Sequence, residues 1–565
     1  MRIDRDVPIP MDDGVVLRAD TFRPDEDRSP VILSYGPYGK GLAFQEGYAD
    51  QWNRMVEQHP DVAAGSSNAH QNWEVVDPEK WVQRGYACVR VDSRGAGRSP
   101  GYLDVFSPRE TRDLYACIEW AGTQPWSTGR VGLSGISYYA INQWHVAALQ
   151  PPHLAAICPW EGAADWYRDM THHGGIVCTF WANWYERQVL PVQHGVGERG
   201  FQDRSTGEWV AGPETRPVEE LASARGDLES EILAHPLDDD YHRARSPDWS
   251  KVQVPLLSSA NWGGQGLHSR GNFEGFVRAA SHEKWLEVHG LEQWTHFYTD
   301  YGRTLQERFF DHFLKGSGDW RRQPRVLLQV RTVDGGFVDR SEDEWPLART
   351  RWTRHYLDAR GMELSRDRIE YHASRSFEAL GDGITFVTPP LERDTEVTGP
   401  VAAKLFVTSS TVDADLFLVV RLFSPDGREV TFQGAIDPHA PVAQGWLRAS
   451  HRKLDPALTT EYRPYHTHDE VQPLSPGRVY EVAVEIWPTS VIVPAGYRVA
   501  LTVQGRDYEY GGAEGSRIGS FVNELRGSGP FLHDDPRDRP REIFGGTTTI
   551  HTGDPGSYLL LPEVP

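Results

Sequence analysis

The sequence predicts an α/β domain carrying an inserted helical segment, followed by a separate all-β sandwich. Three observations carry this. Up to about residue 160, apolar runs alternate with helical patterns, as a parallel sheet with crossover helices requires. From about 165 to 248 the strand pattern disappears into a segment rich in Trp, Tyr, His and charge, with weak helical periodicity. Beyond about 346, period-two apolar alternation broken by Gly, Pro and Asp turns takes over, the texture of a β-sandwich. The chain divides accordingly into a core first part at 1–163, a helical cap at 164–248, a second core part at 249–345 and a C-terminal sandwich at 346–565.

In order along the chain, Val31–Tyr35, Ala87–Val91, Val131–Ser134 and Leu154–Cys158 read as strands. Between the second and third lies a punctuated helix: Ser107 is its N-cap, Pro108 its first residue, and Glu110 completes a capping box. Leu114, Cys117, Ile118 and Ala121 then recur at helical spacing and form its buried face. Ile141, Trp144 and Ala148 do the same for the helix that follows Ser137. After the cap, Val254–Ser258 and Lys284–Val288 are strand-like, and Gly302–Leu314 is a long helix. In the sandwich, Ala403–Val407 and Val479–Ile486 carry the clearest alternation.

At a loose prior of roughly 150 residues per domain, 565 residues allow two to four domains and ample core. An apolar fraction of 39% with 20 Trp excludes a disordered chain. The formal charge of −22 argues against nucleic acid or an anionic membrane as partner, since both need a basic surface. Cysteines 88, 117, 158 and 178 lie in apolar or mixed segments without a C-x-x-C pair, which suits buried thiols in a reducing cytoplasm. The N-terminus carries no apolar signal region, and no stretch reaches the length of a membrane span, so a soluble cytoplasmic protein is expected.

The most informative segment is Val131-Gly132-Leu133-Ser134-Gly135-Ile136-Ser137-Tyr138-Tyr139-Ala140. An apolar strand runs into a small-residue turn carrying a serine and then directly into a helix. This is how a nucleophile elbow exposes its serine, and small neighbours such as Gly135 and Ala140 let helix and strand backbones pass closely. Tyr139 departs from strict G-x-S-x-G, the small residue coming one position later. Ser134 competes as nucleophile, but it falls where the strand is still ending.

The chain resembles the cocaine esterase/X-prolyl dipeptidyl peptidase (CocE/NonD) family of α/β-hydrolases. The resemblance rests on Gly36-Pro37-Tyr38-Gly39-Lys40, Asp92-Ser93-Arg94-Gly95, Gly135-Ile136-Ser137-Tyr138, Ala164-Asp165-Trp166-Tyr167-Arg168, Trp294-Thr295-His296 and Val412-Asp413-Ala414-Asp415-Leu416, in that order over nearly the whole chain. It implies an α/β-hydrolase core with a helical cap and a C-terminal jelly roll, and a serine hydrolase without cofactor. Ser137 needs a base and a group that orients the base. His296 matches the family's Trp-Ser/Thr-His motif at the catalytic histidine. His289 is its rival, while His268, His172 and His173 read as polar lining or structural residues. An oxyanion hole is expected from the Tyr138 backbone N–H, with the Tyr38 phenol as the second donor that the resemblance implies.

The acid is where the sequence departs from this family. Its aspartate belongs to a motif like Gly-Trp-Tyr-Asp-Gly, but the matching stretch, Ala260-Asn261-Trp262-Gly263-Gly264-Gln265-Gly266, holds no carboxylate. Glu161, after the strand next to the nucleophile, is the replacement expected; Glu292 is the alternative, and an incomplete triad a third outcome. Trp160, Trp166, Trp181 and Trp262 are expected to line an apolar pocket. His172-His173 has no Cys or carboxylate at metal-ligand spacing, so no metal is expected. The reaction expected is hydrolysis of a carboxylic ester through an acyl-enzyme. A short peptide or amide substrate, as in X-prolyl peptidases or amino acid ester hydrolases, comes second and would need Asp165, Asp169 or Glu161 for an α-amine. A catalytically impaired binding protein is the alternative of another class. Homo-oligomers fit either reading.

Overall fold

A computed structural model describes residues 1–25, 28–512, 515–554 and 556–565. The N-terminal half is organised by β1 (Arg2–Pro10), β2 (Val16–Arg23), β3 (Ser29–Gly36), β4 (Ala87–Asp92), β5 (Ser127–Ile136) and β6 (Leu154–Trp160). The cap contributes a short hairpin, β7 (His172–His173) and β8 (Ile176–Val177), before β9 (Leu256–Asn261), β10 (Lys284–His289) and β11 (Val326–Thr332) complete the sheet. Antiparallel pairing joins β1 to β2 and β2 to β4. From β4 the strands run parallel in the order β4, β3, β5, β6, β9, β10, β11. Strand order therefore reverses at β3, and the turns at the C-terminal ends of β5, β6 and β9 lie side by side, where open α/β sheets hold their ligands.

The β3 and β4 residues are buried throughout, as strands covered on both faces must be. The strand expected from Val254 starts at Leu256, because Pro255 has no N–H for a central ladder. Helix Pro108–Thr123 is capped by Ser107, whose hydroxyl accepts from the Glu110 N–H, and it buries Leu114, Cys117, Ile118 and Ala121. The expected capping box is not closed. The Glu110 carboxylate accepts instead from the Phe106 N–H at 2.8 Å and from the Tyr138 hydroxyl, tying the helix to the elbow. The helix expected at Gly302–Leu314 spans Asp300–Phe310 and ends in a π-turn at Asp311–Lys315, stopped by Gly316 at φ 70°.

The cap is helical only in short pieces, among them Phe180–Trp184, Val218–Ser223, Leu228–Ala234 and Asp240–Arg243. Glycines at 195, 197, 207 and 212 all take positive φ and break helical continuity between 194 and 217. Beyond Arg351 the described residues are mostly strands, the longest being Thr395–Ser409 and Tyr480–Val493. These two pair antiparallel, and Asp415–Phe423 pairs with Arg498–Gln504. Leu405, Leu416, Leu418, Val484 and Leu501 form the core of this C-terminal region. The core of the N-terminal domain also takes Ala435, Ile436, Ile518, Leu525 and Phe531 from the C-terminal region, so the two parts share buried surface. No helix among the described residues is long and apolar enough to cross a membrane.

Candidate active site

Ser137 stands at the end of β5 with φ 56° and ψ −116°, a conformation that a non-glycine residue holds only when its surroundings impose it. The imposing contacts are close. The Ser137 N–H donates to the carbonyls of Trp160 and Glu161, at 3.2 and 3.1 Å. A Cβ at Gly135 would lie 2.3 Å from the Tyr139 Cβ and one at Gly36 would lie 2.7 Å from the Tyr139 ring, so these two glycines house the large residue in the elbow. Gly162 is likewise needed beside Ala140, where a Cβ would come within 2.7 Å. Every residue from Val131 to Ala148 is buried except Ser137, which is partly open. The rival Ser134 is buried and spends its hydroxyl on Gln306, at 2.9 Å.

The imidazole that meets Ser137 is that of His268, Nε2 lying 3.0 Å from the serine Oγ. His268 sits immediately before helix Ser269–Arg278, in the loop after β9. Burial pushes its pKa down to about 3, so the ring is neutral and Nε2 can accept the serine proton. Its Nδ1 has no hydrogen-bond partner among the described residues. Among the described residues, therefore, no carboxylate orients this ring.

The expected line Ser137, His296, Glu161 is not what the structure assembles. Neither ring nitrogen of His296 makes a hydrogen bond among the described residues; the ring lies edge-on to His289 and Tyr301, with centroids 5.3 and 5.4 Å away. His296 is on the short helix Thr295–Tyr298, and burial lowers its pKa to about 4. Glu161, buried at φ 49°, accepts instead from His289 Nε2 at 3.0 Å and from the Asn261 amide at 3.2 Å. His289 Nδ1 bonds to Glu287 at 2.8 Å. Burial opposes charge on His289, but Glu287 and Glu161 outweigh it and raise its pKa to about 9. Glu287 is held below the usual carboxylate range, with burial working against the His289 charge that lowers it, while burial raises Glu161. The ion pair is thus Glu287 with His289, and Glu161 is the less acidic carboxyl beside it. Glu292 faces Arg54 at 3.8 Å and Thr295 at 3.4 Å.

The side chains of Tyr38 and Tyr138 are neighbours. Their rings meet edge-on at 6.0 Å, and the Trp184 indole donates to the Tyr38 oxygen at 3.0 Å. That bond leaves the phenol its own proton to donate. Tyr138 is the first residue of helix Tyr138–Ala147, so its N–H has no acceptor within the helix. Its side chain points elsewhere, to Glu110, and stacks on Phe106 at 4.0 Å. Of the four expected pocket tryptophans, Trp166 and Trp181 pack together at 5.0 Å and reach Tyr138 through Trp184. Trp160 stacks on His289 instead, at 5.3 Å. Trp262 belongs to another cluster, against Phe273 and Trp345, and donates to the Gln329 carbonyl, so it does not line this site. Asp165 pairs with Arg168 at 2.9 Å and Asp169 with Arg270 at 2.8 Å, so neither is an unneutralised acid.

Two residues escaped the sequence reading of the site. His268 was placed among lining residues because no motif marks it, although it follows by two positions the stretch that stands in place of the family's acid loop. Glu74 is the second. Its carbonyl accepts from the Ile136 N–H at 3.0 Å, and its buried carboxyl accepts from Gln293 at 2.8 Å. Burial and then Glu161 hold its pKa far above the usual range. Nothing in an Asn-Trp-Glu-Val string marks it as a neighbour of the elbow.

The family model described as X-Pro dipeptidyl-peptidase (S15 family) matches residues 13–298, just over half the chain. The chain belongs to this family. A second model, the X-Pro dipeptidyl-peptidase C-terminal non-catalytic domain, matches residues 318–518, which makes the strand-rich region a separate domain of that type. Among solved structures, a CocE/NonD family hydrolase from Staphylococcus aureus is 32% identical with a TM-score of 0.84, the match covering 100% of this chain and 94% of that one. Cocaine esterase from Rhodococcus sp. is 25% identical, covering 99% of this chain and 98% of its own. A putative Xaa-Pro dipeptidyl-peptidase from Streptomyces avermitilis is 24% identical over 87% of this chain and 76% of its own. The chain is therefore a hydrolase of the serine esterase and X-Pro dipeptidyl peptidase family.

Proposed function

We propose that this family member hydrolyses carboxylic esters by nucleophilic attack of Ser137, with His268 rather than His296 as its base. The contact that carries the reading is Ser137 Oγ to His268 Nε2 at 3.0 Å, made at a strained and partly open elbow. His268 Nε2 takes the serine proton as Oγ adds to the ester carbonyl, and the oxyanion is received by the Tyr138 N–H and the Tyr38 hydroxyl. The protonated imidazole returns its proton to the leaving alcohol, and water then releases the acid from the acyl-enzyme by the same route. With no carboxylate at Nδ1 among the described residues, the imidazolium gains no ion-pair stabilisation, a condition that costs about four orders of magnitude in a complete triad.

An ester is favoured over a peptide because Asp165 and Asp169 are committed to arginines and Glu161 to His289, leaving none of the three to hold an α-amine. Phe106, Trp181 and Trp184 beside Tyr138 offer an apolar wall suited to an aromatic or branched acyl group. Relatives named cocaine esterase and putative serine esterase support the same choice. In this reading the core is an α/β-hydrolase, the C-terminal domain a jelly roll that closes one side of it, and the four free, buried cysteines suit a cytoplasmic address.

Intact-mass analysis after treatment with a small fluorophosphonate tests the proposal. The wild type is expected to gain one adduct, Ser137→Ala none, His268→Ala one at a rate at least about a hundredfold lower, and His296→Ala one at nearly the wild-type rate. The reverse order of the two histidine variants would return the base to His296. A folded wild type that forms no adduct would favour the binding protein over the enzyme.

A further inference from the structure

Away from Ser137, three potential metal ligands from two distant parts of the chain converge in the interior. His173 ends β7, Cys178 directly follows β8, and His533 lies in the C-terminal region 360 residues away. Their donor atoms all lie within 4.8 Å of one another, and all three side chains are buried. His173 Nδ1 and His533 Nε2 are 2.8 Å apart.

The outer nitrogens fix what these inner ones can do. His173 Nε2 faces the Asp169 carbonyl at 3.1 Å, and a carbonyl only accepts, so this nitrogen carries the hydrogen. His533 Nδ1 faces the Asp507 carboxylate at 2.7 Å and is likewise the donor. The facing His173 Nδ1 and His533 Nε2, 2.8 Å apart in a site walled by Trp446, Trp487 and Phe417, are thus left to share either one proton or one cation. The outer bonds, one to a carboxylate and one to a backbone carbonyl, are those that orient metal-bound histidines.

We infer that His173 Nδ1, His533 Nε2 and Cys178 Sγ form a binding site for a divalent transition metal, Zn2+ by the chemistry of its donors, that clamps the cap hairpin to the C-terminal domain. Two imidazoles and a thiolate are ligands for a borderline-soft ion. Tetrahedral zinc spaces such donors about 3.3–3.8 Å apart, which the observed atoms reach by shifts of about an ångström. The expectation that His172-His173 lacks a thiol partner is corrected here: Cys178 lies five residues beyond His173, across the hairpin turn. The clamp would reinforce bonds already joining the same segments, from the Thr179 N–H to the Leu532 carbonyl at 2.8 Å and from the Val177 N–H to Asp538 at 3.1 Å.

Untagged full-length protein, stripped with a chelator and reloaded with Zn2+ or Co2+, provides the test. Elemental analysis after desalting is expected to give about one metal per chain, and Co2+ to show thiolate charge-transfer absorption and tetrahedral ligand-field bands. Cys178→Ser should abolish the charge-transfer band, and His533→Gln should lower affinity at least about a hundredfold. The thermal midpoint should rise on Zn2+ addition in the wild type only. Wild-type protein that takes up no metal in excess Zn2+ would show that a shared proton alone sits between the rings, and the proposal fails. It fails equally if uptake and spectrum survive both substitutions. If a variant does not fold, the Co2+ spectrum of the wild type decides, because a band without thiolate character excludes Cys178.

Discussion

Residues near Ser137 show how burial decides chemical role. His268 and His289 are buried and His296 is half-buried; among the described residues only His289 has carboxylates bonded to its ring, and it alone of the three is raised rather than lowered in pKa. With His268 lowered to about 3, the base is unprotonated across the ordinary range, so the phosphonylation rate should show no inflection near 6.5. An inflection at 6.5, removed by His296→Ala, would contradict the assignment. For His289 the folded-state pKa of about 9 lies above the ordinary 6.5, so the pair with Glu287 stabilises the fold fully below 6.5, and that stability is lost as pH rises through 9. The thermal midpoint should fall over that interval, and His289→Gln should flatten this part of the profile.

At the scale of the element, the elbow is a three-way fit. Gly36 from β3, Gly135 from β5 and Tyr139 from the following helix occupy one volume, so the large residue in the motif is matched by the absence of side chains opposite. Gly135→Ala should destabilise the protein by about 1–3 kcal/mol through overpacking and reduce phosphonate labelling, because its Cβ must displace Tyr139 and with it the Ser137 turn. Chemical denaturation and labelling rate, measured on the same sample, check this; an unchanged rate would mean that the turn is set elsewhere. Helix Pro108–Thr123 is tied into the same construction through Glu110 and the Tyr138 hydroxyl, a bond no local pattern announces.

At the scale of the molecule, the C-terminal domain completes the interior of the catalytic one. Ile436, Leu525 and Phe531 enter the N-terminal core, β11 pairs with Tyr480–Val493, and Gly263 contacts Gly434 so closely that a Cβ would lie 2.2 Å from its Cα. A chain ending at residue 345 should expose this surface and aggregate. Soluble, monomeric truncated protein that still labels at Ser137 would show that the domains are independent.

Much of this was legible in the sequence. The strands β3 to β6, the Ser107 cap and the Ser137 turn were readable because each depends on residues within a few positions: apolar runs, an N-cap hydroxyl, small residues round a serine. By itself, then, the sequence determined the order of domains, the family through its spaced motifs, and the position of the elbow. Only the tertiary structure decided which histidine meets Ser137, that Glu161 reaches His289, and that Cys178 faces His533. Those pairings join side chains 131, 128 and 355 positions apart, and their geometry follows from how β5, β6, β9 and β10 lie in the sheet and how the C-terminal domain docks. A histidine reads the same in a string of letters whether it ends up against a hydroxyl, between two carboxylates or beside a thiol; burial and neighbours, supplied by packing, distinguish them.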